Sequence, residues 1–145
     1  MTLKLPFYKQ ETTFSCVPAC LKMVLPSFGM SHTEAGLREL CDCTIFGTNA
    51  LQAVEAVRQL GLKNTVKSTL RFSDLESLLK EEIFPILYVN LLPIDGVQCS
   101  HAVVVTGISD EGIFVIDPLQ GERVLPLTTF ISAWGMMNNL AIVIR

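Results

Sequence analysis

Gln10-Glu11-Thr12-Thr13-Phe14-Ser15-Cys16-Val17-Pro18-Ala19-Cys20-Leu21 is the stretch on which the reading of this chain turns. From Cys16 onward the apolar residues Val17, Cys20, Leu21, Val24 and Leu25 recur at helical spacing. Pro18 falls in the first turn, where a missing N–H costs nothing. Pro26 is the expected stop and Ser15 the expected cap. The stretch predicts a helix over about 15–25 with a thiol at its N-terminus, six residues beyond Gln10. Far downstream, His101 opens an apolar run and Asp117-Pro118 closes the next one. A thiol at a helix N-terminus, a distant imidazole and a distant carboxylate are the set that nucleophilic thiol chemistry needs. The thiolate is the nucleophile, the imidazole handles the proton, and the carboxylate orients the imidazole.

Working outward, Ser31-His32-Thr33-Glu34 reads as a capping box that starts a second helix running to about residue 40, with Leu37 and Leu40 inward. Thr48 is the expected cap of a third helix over 49–60, and Gly61 its C-terminal stop. Leu51, Val54, Val57 and Leu60 would form its buried stripe. Ser73-Asp74-Leu75-Glu76 reads as another capping box, opening a short helix to about residue 80. The period then changes. Strands are expected over 85–90, 101–108, 113–116, 122–125 and 140–144, with turns at 109–112 and 118–121 and a last short helix over 128–134. The start of the chain, 3–8, reads as extended. Helices first and antiparallel strands second is the α+β pattern, here expected as one domain over residues 1–145.

Composition excludes several classes. Half of the residues are hydrophobic and 17% are charged, which rules out a disordered chain. The net charge is −3 and no Lys/Arg cluster occurs, so no nucleic-acid partner is expected. No apolar stretch is long enough for a membrane-spanning helix. Met1-Thr2-Leu3-Lys4-Leu5-Pro6 lacks the apolar core of a secretory signal, so the expected location is the cytoplasm. Five cysteines without a signal argue against a disulfide framework. Cys20, Cys43 and Cys99 are expected to be buried as small apolar residues. A thiolate metal site from Cys16, Cys20, Cys41 and Cys43 is the chemical competitor. Its spacing fits poorly: one residue separates Cys41 from Cys43, and Cys16 and Cys20 lie a helical turn apart. The expectation is therefore no metal and no cofactor. His32 is expected at the surface and Trp134 as a core or sheet-edge anchor.

The layout resembles the papain-like cysteine peptidases, in particular the bacteriocin-processing family that often forms the N-terminal domain of peptidase-containing export transporters. The residues that carry the likeness are 10–21 above, Gly47-Thr48 followed by Leu51, Ser100-His101-Ala102-Val103-Val104-Val105-Thr106-Gly107, Val115-Ile116-Asp117-Pro118-Leu119-Gln120-Gly121, and the closing segment from Phe130 to Trp134-Gly135. They cover nearly the whole chain in family order. The resemblance implies a papain-like fold with N-terminal helices packed on a C-terminal antiparallel sheet and a cleft between them. It implies Cys16 as nucleophile, His101 as general base and then acid, Asp117 as its orienter, and Gln10 as oxyanion donor together with the Cys16 backbone N–H. It also implies a peptide or leader-peptide substrate cut after a double glycine, and a separate export transporter as partner. The family commonly has Asp before the cysteine and Gly after it, where this chain has Ser15 and Val17. A rival reading is a peptidase-like module that holds a peptide without turnover. Stoichiometric labelling of Cys16 by a peptide electrophile would separate the two.

Overall fold

The protein is described by a computed structural model over residues 4–145. Residues 4–10 carry no helix or strand, so the extended start expected over 3–8 joins no sheet over its described residues, and Met1 to Leu3 lie outside the described residues. In chain order the elements are α1 (Cys16–Val24), a 3₁₀ turn (Leu25–Phe28), α2 (Glu34–Leu40), α3 (Ala50–Gln59), β1 (Val66–Thr69), α4 (Phe72–Lys80), β2 (Ile86–Asn90), α5 (Leu92–Asp95), β3 (Ser100–Ser109), β4 (Gly112–Asp117), β5 (Gly121–Leu125), α6 (Leu127–Gly135) and β6 (Leu140–Val143). The six strands form one antiparallel sheet in the order β1-β6-β2-β3-β4-β5.

Side chains alternate across a strand, and here both faces of the sheet are covered. Ile86, Tyr88, Ala102, Val104, Ile116 and Ile142 pack with the apolar faces of α1, α2 and α3. Leu87, Val89, Val103, Val105, Val115, Ala141 and Val143 pack on the other side with Leu75 and Leu78 of α4 and Phe130, Ala133 and Trp134 of α6. Double burial explains why β2 and β3 read as unbroken apolar runs rather than as alternation. Trp134 is an anchor of this second layer: it is 1% exposed, its Nε1 donates to the Leu140 carbonyl, and its ring lies 5.5 Å from that of Phe130.

Several expectations need correction. The helical path does not stop at Pro26, which sits in the first turn of the 3₁₀ segment; Gly29, at φ 76°, ends it. Ser15 makes no side-chain cap on α1. The cap of α2 is Thr33, which accepts the Gly36 N–H, and not Ser31. The cap of α3 is Asn49, in a reciprocal box with Gln52, and not Thr48. At α4 the Asp74 carboxylate accepts the Arg71 N–H, so the helix starts ahead of Ser73. Leu51 is 57% exposed, and small Ala50, Ala53 and Ala56 join Val54 and Val57 in the buried stripe of α3. Strand β1 and the single turn α5 are additions. Val66-Lys67-Ser68-Thr69 is a largely exposed edge strand, so burial leaves no pattern in its sequence. Cys41 is buried with Cys20, while Cys43 is half-buried and Cys99 exposed.

Candidate active site

The first turn of α1 places Cys16 in a cleft between the helices and the central strands β2 and β3 of the sheet. Thr13, Phe14 and Val17 flank it. The 45–48 segment forms a second wall, and Tyr88, Leu91, Ser100, His101 and Leu119 line the side toward the sheet, around a volume of about 260 Å³. The Thr44–Gly47 turn is closed by reciprocal backbone hydrogen bonds and carries Ile45 and Phe46 outward. Tyr88 fixes the neighbouring backbone by donating its hydroxyl to the Thr48 carbonyl at 2.8 Å. Larger recesses exist, for instance between residues 4–7 and Glu122, but they bring no thiol or imidazole. Chemistry, not size, singles out this cleft.

His101 is the second residue of β3 and Asp117 the last of β4. Because those strands are neighbours, His101 Nε2 lies 2.7 Å from Asp117 Oδ1, with both side chains buried. The other ring nitrogen, Nδ1, is left free of Asp117, and Cys16 lines the same cleft as the imidazole. Burial by itself pushes the His101 pKa down. The hydrogen bonds and charges of Asp117 and Cys16 outweigh it and hold the imidazolium up to about 9. Burial works against the Asp117 carboxylate too, yet His101, the Leu119 N–H and Arg123 hold it below its ordinary value. Below Cys16, burial pushes the Cys20 thiol well up, and its sulfur points at the Ala102 carbonyl at 3.6 Å. It is a core thiol.

Gln10 is buried beside this centre. Its backbone N–H donates to Pro118, next to Asp117, at 2.9 Å. One hydrogen of its Nε2 goes to the Thr12 carbonyl at 2.7 Å, while Oε1 is buried without a partner. The structure thus brings Cys16, His101 and Asp117 together and ties Gln10 to the aspartate turn. Arg123 escaped the sequence reading. Its fork donates to Asp95 at 2.7 and 3.0 Å and to Asp117 Oδ2 at 3.2 Å, joining the carboxylate to α5. Glu34 was missed as well: it read as a capping residue and is in fact buried under the 10–15 turn. The i,i+4 spacing of Glu34 and Arg38 was its only visible signal. Among the described residues no three His, Cys, Asp or Glu side chains gather as a metal site, and no helix is long and apolar enough to cross a membrane.

A thiol at a helix N-terminus, an imidazole lining the same cleft and a buried carboxylate bonded to that imidazole, set between a helical layer and an antiparallel sheet, are the arrangement of the papain-like cysteine peptidases. Residues 4–143 match the Peptidase C39 family, and the chain belongs to it; it is a cysteine peptidase. It is 31% identical over 128 residues to the transport/processing ATP-binding protein ComA of Streptococcus pneumoniae, covering 86% of this chain and 17% of that protein. It is 30% identical over 130 residues to a lactococcin transport/processing ATP-binding protein, LcnC-like, of Lactococcus lactis, covering 88% and 17%. The chain therefore spans about a sixth of the length of these relatives. Among solved structures, the peptidase domain of Streptococcus ComA, a bi-functional ABC transporter, superposes with a TM-score of 0.78 at 28% identity over 98% of this chain and 97% of that one. A double glycine motif protease from an AMS/PCAT transporter, solved with its leader peptide, shares the fold with a TM-score of 0.78 at 24% identity over 97% and 91%.

Proposed function

We propose that Cys16, His101, Asp117 and Gln10 are the catalytic set, and that residues 1–145 act as one peptidase domain that cuts a leader peptide after a double glycine. The observation that supports this reading is His101, bonded through Nε2 to Asp117 and sharing one cleft with the Cys16 thiol. The Cys16 sulfur adds to the scissile carbonyl carbon. The oxyanion takes the Cys16 backbone N–H, unpaired as the first N–H groups of a helix are, and the second hydrogen of Gln10 Nε2. His101 passes its Nδ1 proton to the leaving amine as the C–N bond breaks. It then takes a proton from the water that hydrolyses the thioester, which frees Cys16. Asp117 keeps the ring in the tautomer and orientation that both steps need.

The walls of the cleft support glycine next to the scissile bond. Val17, Tyr88, Leu91 and Leu119 crowd a small cleft around the sulfur, which favours residues without a side chain. The likeness to transport/processing proteins and to a double glycine motif protease supports a leader substrate. The site of action would be the cytoplasm, in association with an export transporter. The test is a leader-length peptide ending in Gly-Gly before the cut, compared with its Gly-Ala and Ala-Ala counterparts. Cleavage of the Gly-Gly peptide alone, abolished by Cys16→Ala, is the expected result. Equal cleavage of all three would refute the glycine requirement, and full activity in Cys16→Ala would place the catalytic centre elsewhere.

A further inference from the structure

Glu34 is a carboxylate in an unusual place. It stands in the first turn of α2 with 1% of its surface exposed, and a buried charge persists only when paired and hydrogen-bonded. All its partners lie on or beside the turn that carries Gln10 to Cys16. Oε1 accepts the Glu11 backbone N–H at 2.9 Å. Oε2 accepts the Ser15 hydroxyl at 3.2 Å and lies 3.3 Å from Arg38 Nε. Ser15 Oγ in turn accepts the Thr12 hydroxyl at 2.7 Å and the Thr12 N–H at 3.1 Å. The Thr12 carbonyl accepts the Gln10 amide. Arg38 closes the ring by donating to Glu11 Oε1 at 3.1 Å. This network also explains why Ser15 does not cap α1: its hydroxyl is committed to Glu34.

We propose that Glu34 is a positioning residue for the peptidase reaction, its buried carboxylate fixing the 10–15 turn and thereby aiming the Gln10 amide at the oxyanion. It acts one residue away from Gln10 through Glu11 and one residue away from Cys16 through Ser15. The inference rests on Gln10 as the oxyanion donor. Pinning the turn at both ends matters because an oxyanion donor works only at hydrogen-bond distance from where the charge develops. A small displacement of the turn would leave the fold intact and the donor out of reach.

The test uses the full chain and two reagents. Iodoacetamide alkylation of Cys16 needs the thiolate but no oxyanion donor. Acetyl-Gly-Gly aldehyde needs both, because the sulfur adds to its carbonyl carbon and the resulting oxygen occupies the oxyanion position. Its protection of Cys16 against iodoacetamide yields a dissociation constant without any cleavable substrate. Glu34→Gln should weaken protection by about tenfold or more while alkylation stays within about twofold. Gln10→Ala should weaken it too, and the double variant should be no weaker than Gln10→Ala, since both act on one donor. Unchanged protection in Glu34→Gln, losses that multiply in the double variant, or parallel losses of alkylation and protection would each overturn the proposal. Full protection in Gln10→Ala, or none in the unsubstituted protein, would instead overturn the underlying oxyanion and glycine reading. If Glu34→Gln melts too low to assay, Ser15→Ala takes its place. It should lose protection severalfold with alkylation kept, and an unchanged constant there overturns the proposal equally.

Discussion

His101 is bonded to the Asp117 carboxylate and lines the cleft that holds Cys16, and its protonation sets the working pH of the site. Its pKa is held at about 9 against an ordinary 6.5, so the fold favours the imidazolium. That contribution to stability is present in full below pH 6.5 and is lost as pH rises through about 9. An NMR titration of the ring should show the proton leaving near pH 9. Asp117→Asn removes a negative partner and should move that midpoint down; a midpoint that stays put would mean that Asp117 does not hold the proton. Asp117 itself is held below its ordinary 3.8, so its contribution is present above that value and is lost as acid protonates it below. At Gln10 the expectation is kinetic. Gln10→Ala should lower kcat by roughly 10²–10³ with little change in KM, because its amide matters once the oxyanion forms. Steady-state kinetics on a Gly-Gly leader peptide decides this, and a change confined to KM would assign Gln10 to substrate binding.

The elements carry their own tests. Gly112 opens β4 at φ 137°, and a Cβ there would lie 2.1 Å from the Leu125 carbonyl oxygen of β5. Gly112→Ala combines a left-handed strain with a backbone clash, so it should cost more than about 2 kcal/mol. Gly135→Ala, with open space around its Cβ, is the matched control. Denaturant unfolding compares the two, and similar midpoints would refute the packing argument. Asn49→Ala, which removes one half of the α3 capping box, should cost about 1 kcal/mol. The caps are also where local reading slipped. Thr48 and Asn49, or Ser31 and Thr33, are equally good capping types, and only the path of the chain decides which one faces the free N–H groups.

At the scale of the whole molecule, the proposed catalytic cleft and the α6 layer lie on opposite faces of the sheet. Cys16 belongs to the layer of α1 to α3, whereas Trp134 and Phe130 fill the α6 layer on the other side. Trp134→Ala should therefore cost about 3–5 kcal/mol of stability while a folded fraction retains its kcat. Thermal unfolding and active-site titration with a peptide electrophile separate the two effects. A proportional loss of kcat per titrated site would show that the far layer shapes the cleft.

The sequence by itself determined the order of helices and strands, the central strands, both hairpin turns, and the identity of Cys16, His101 and Asp117 as a chemically meaningful set. These follow from local periodicity, turn chemistry and the scarcity of residue types able to do thiol chemistry. The tertiary structure decided what periodicity cannot encode. It put α4 and α6 on the second face of the sheet and added β1 at its exposed edge. It exposed Leu51 and Cys99. It brought Arg123 to Asp117, and Glu34 under the turn that carries Gln10. Each of these depends on which surface packs against which. A carboxylate in a first helical turn looks the same in sequence whether it faces water or is buried under a neighbouring turn. Only the neighbours that arrive from distant parts of the chain make it one or the other.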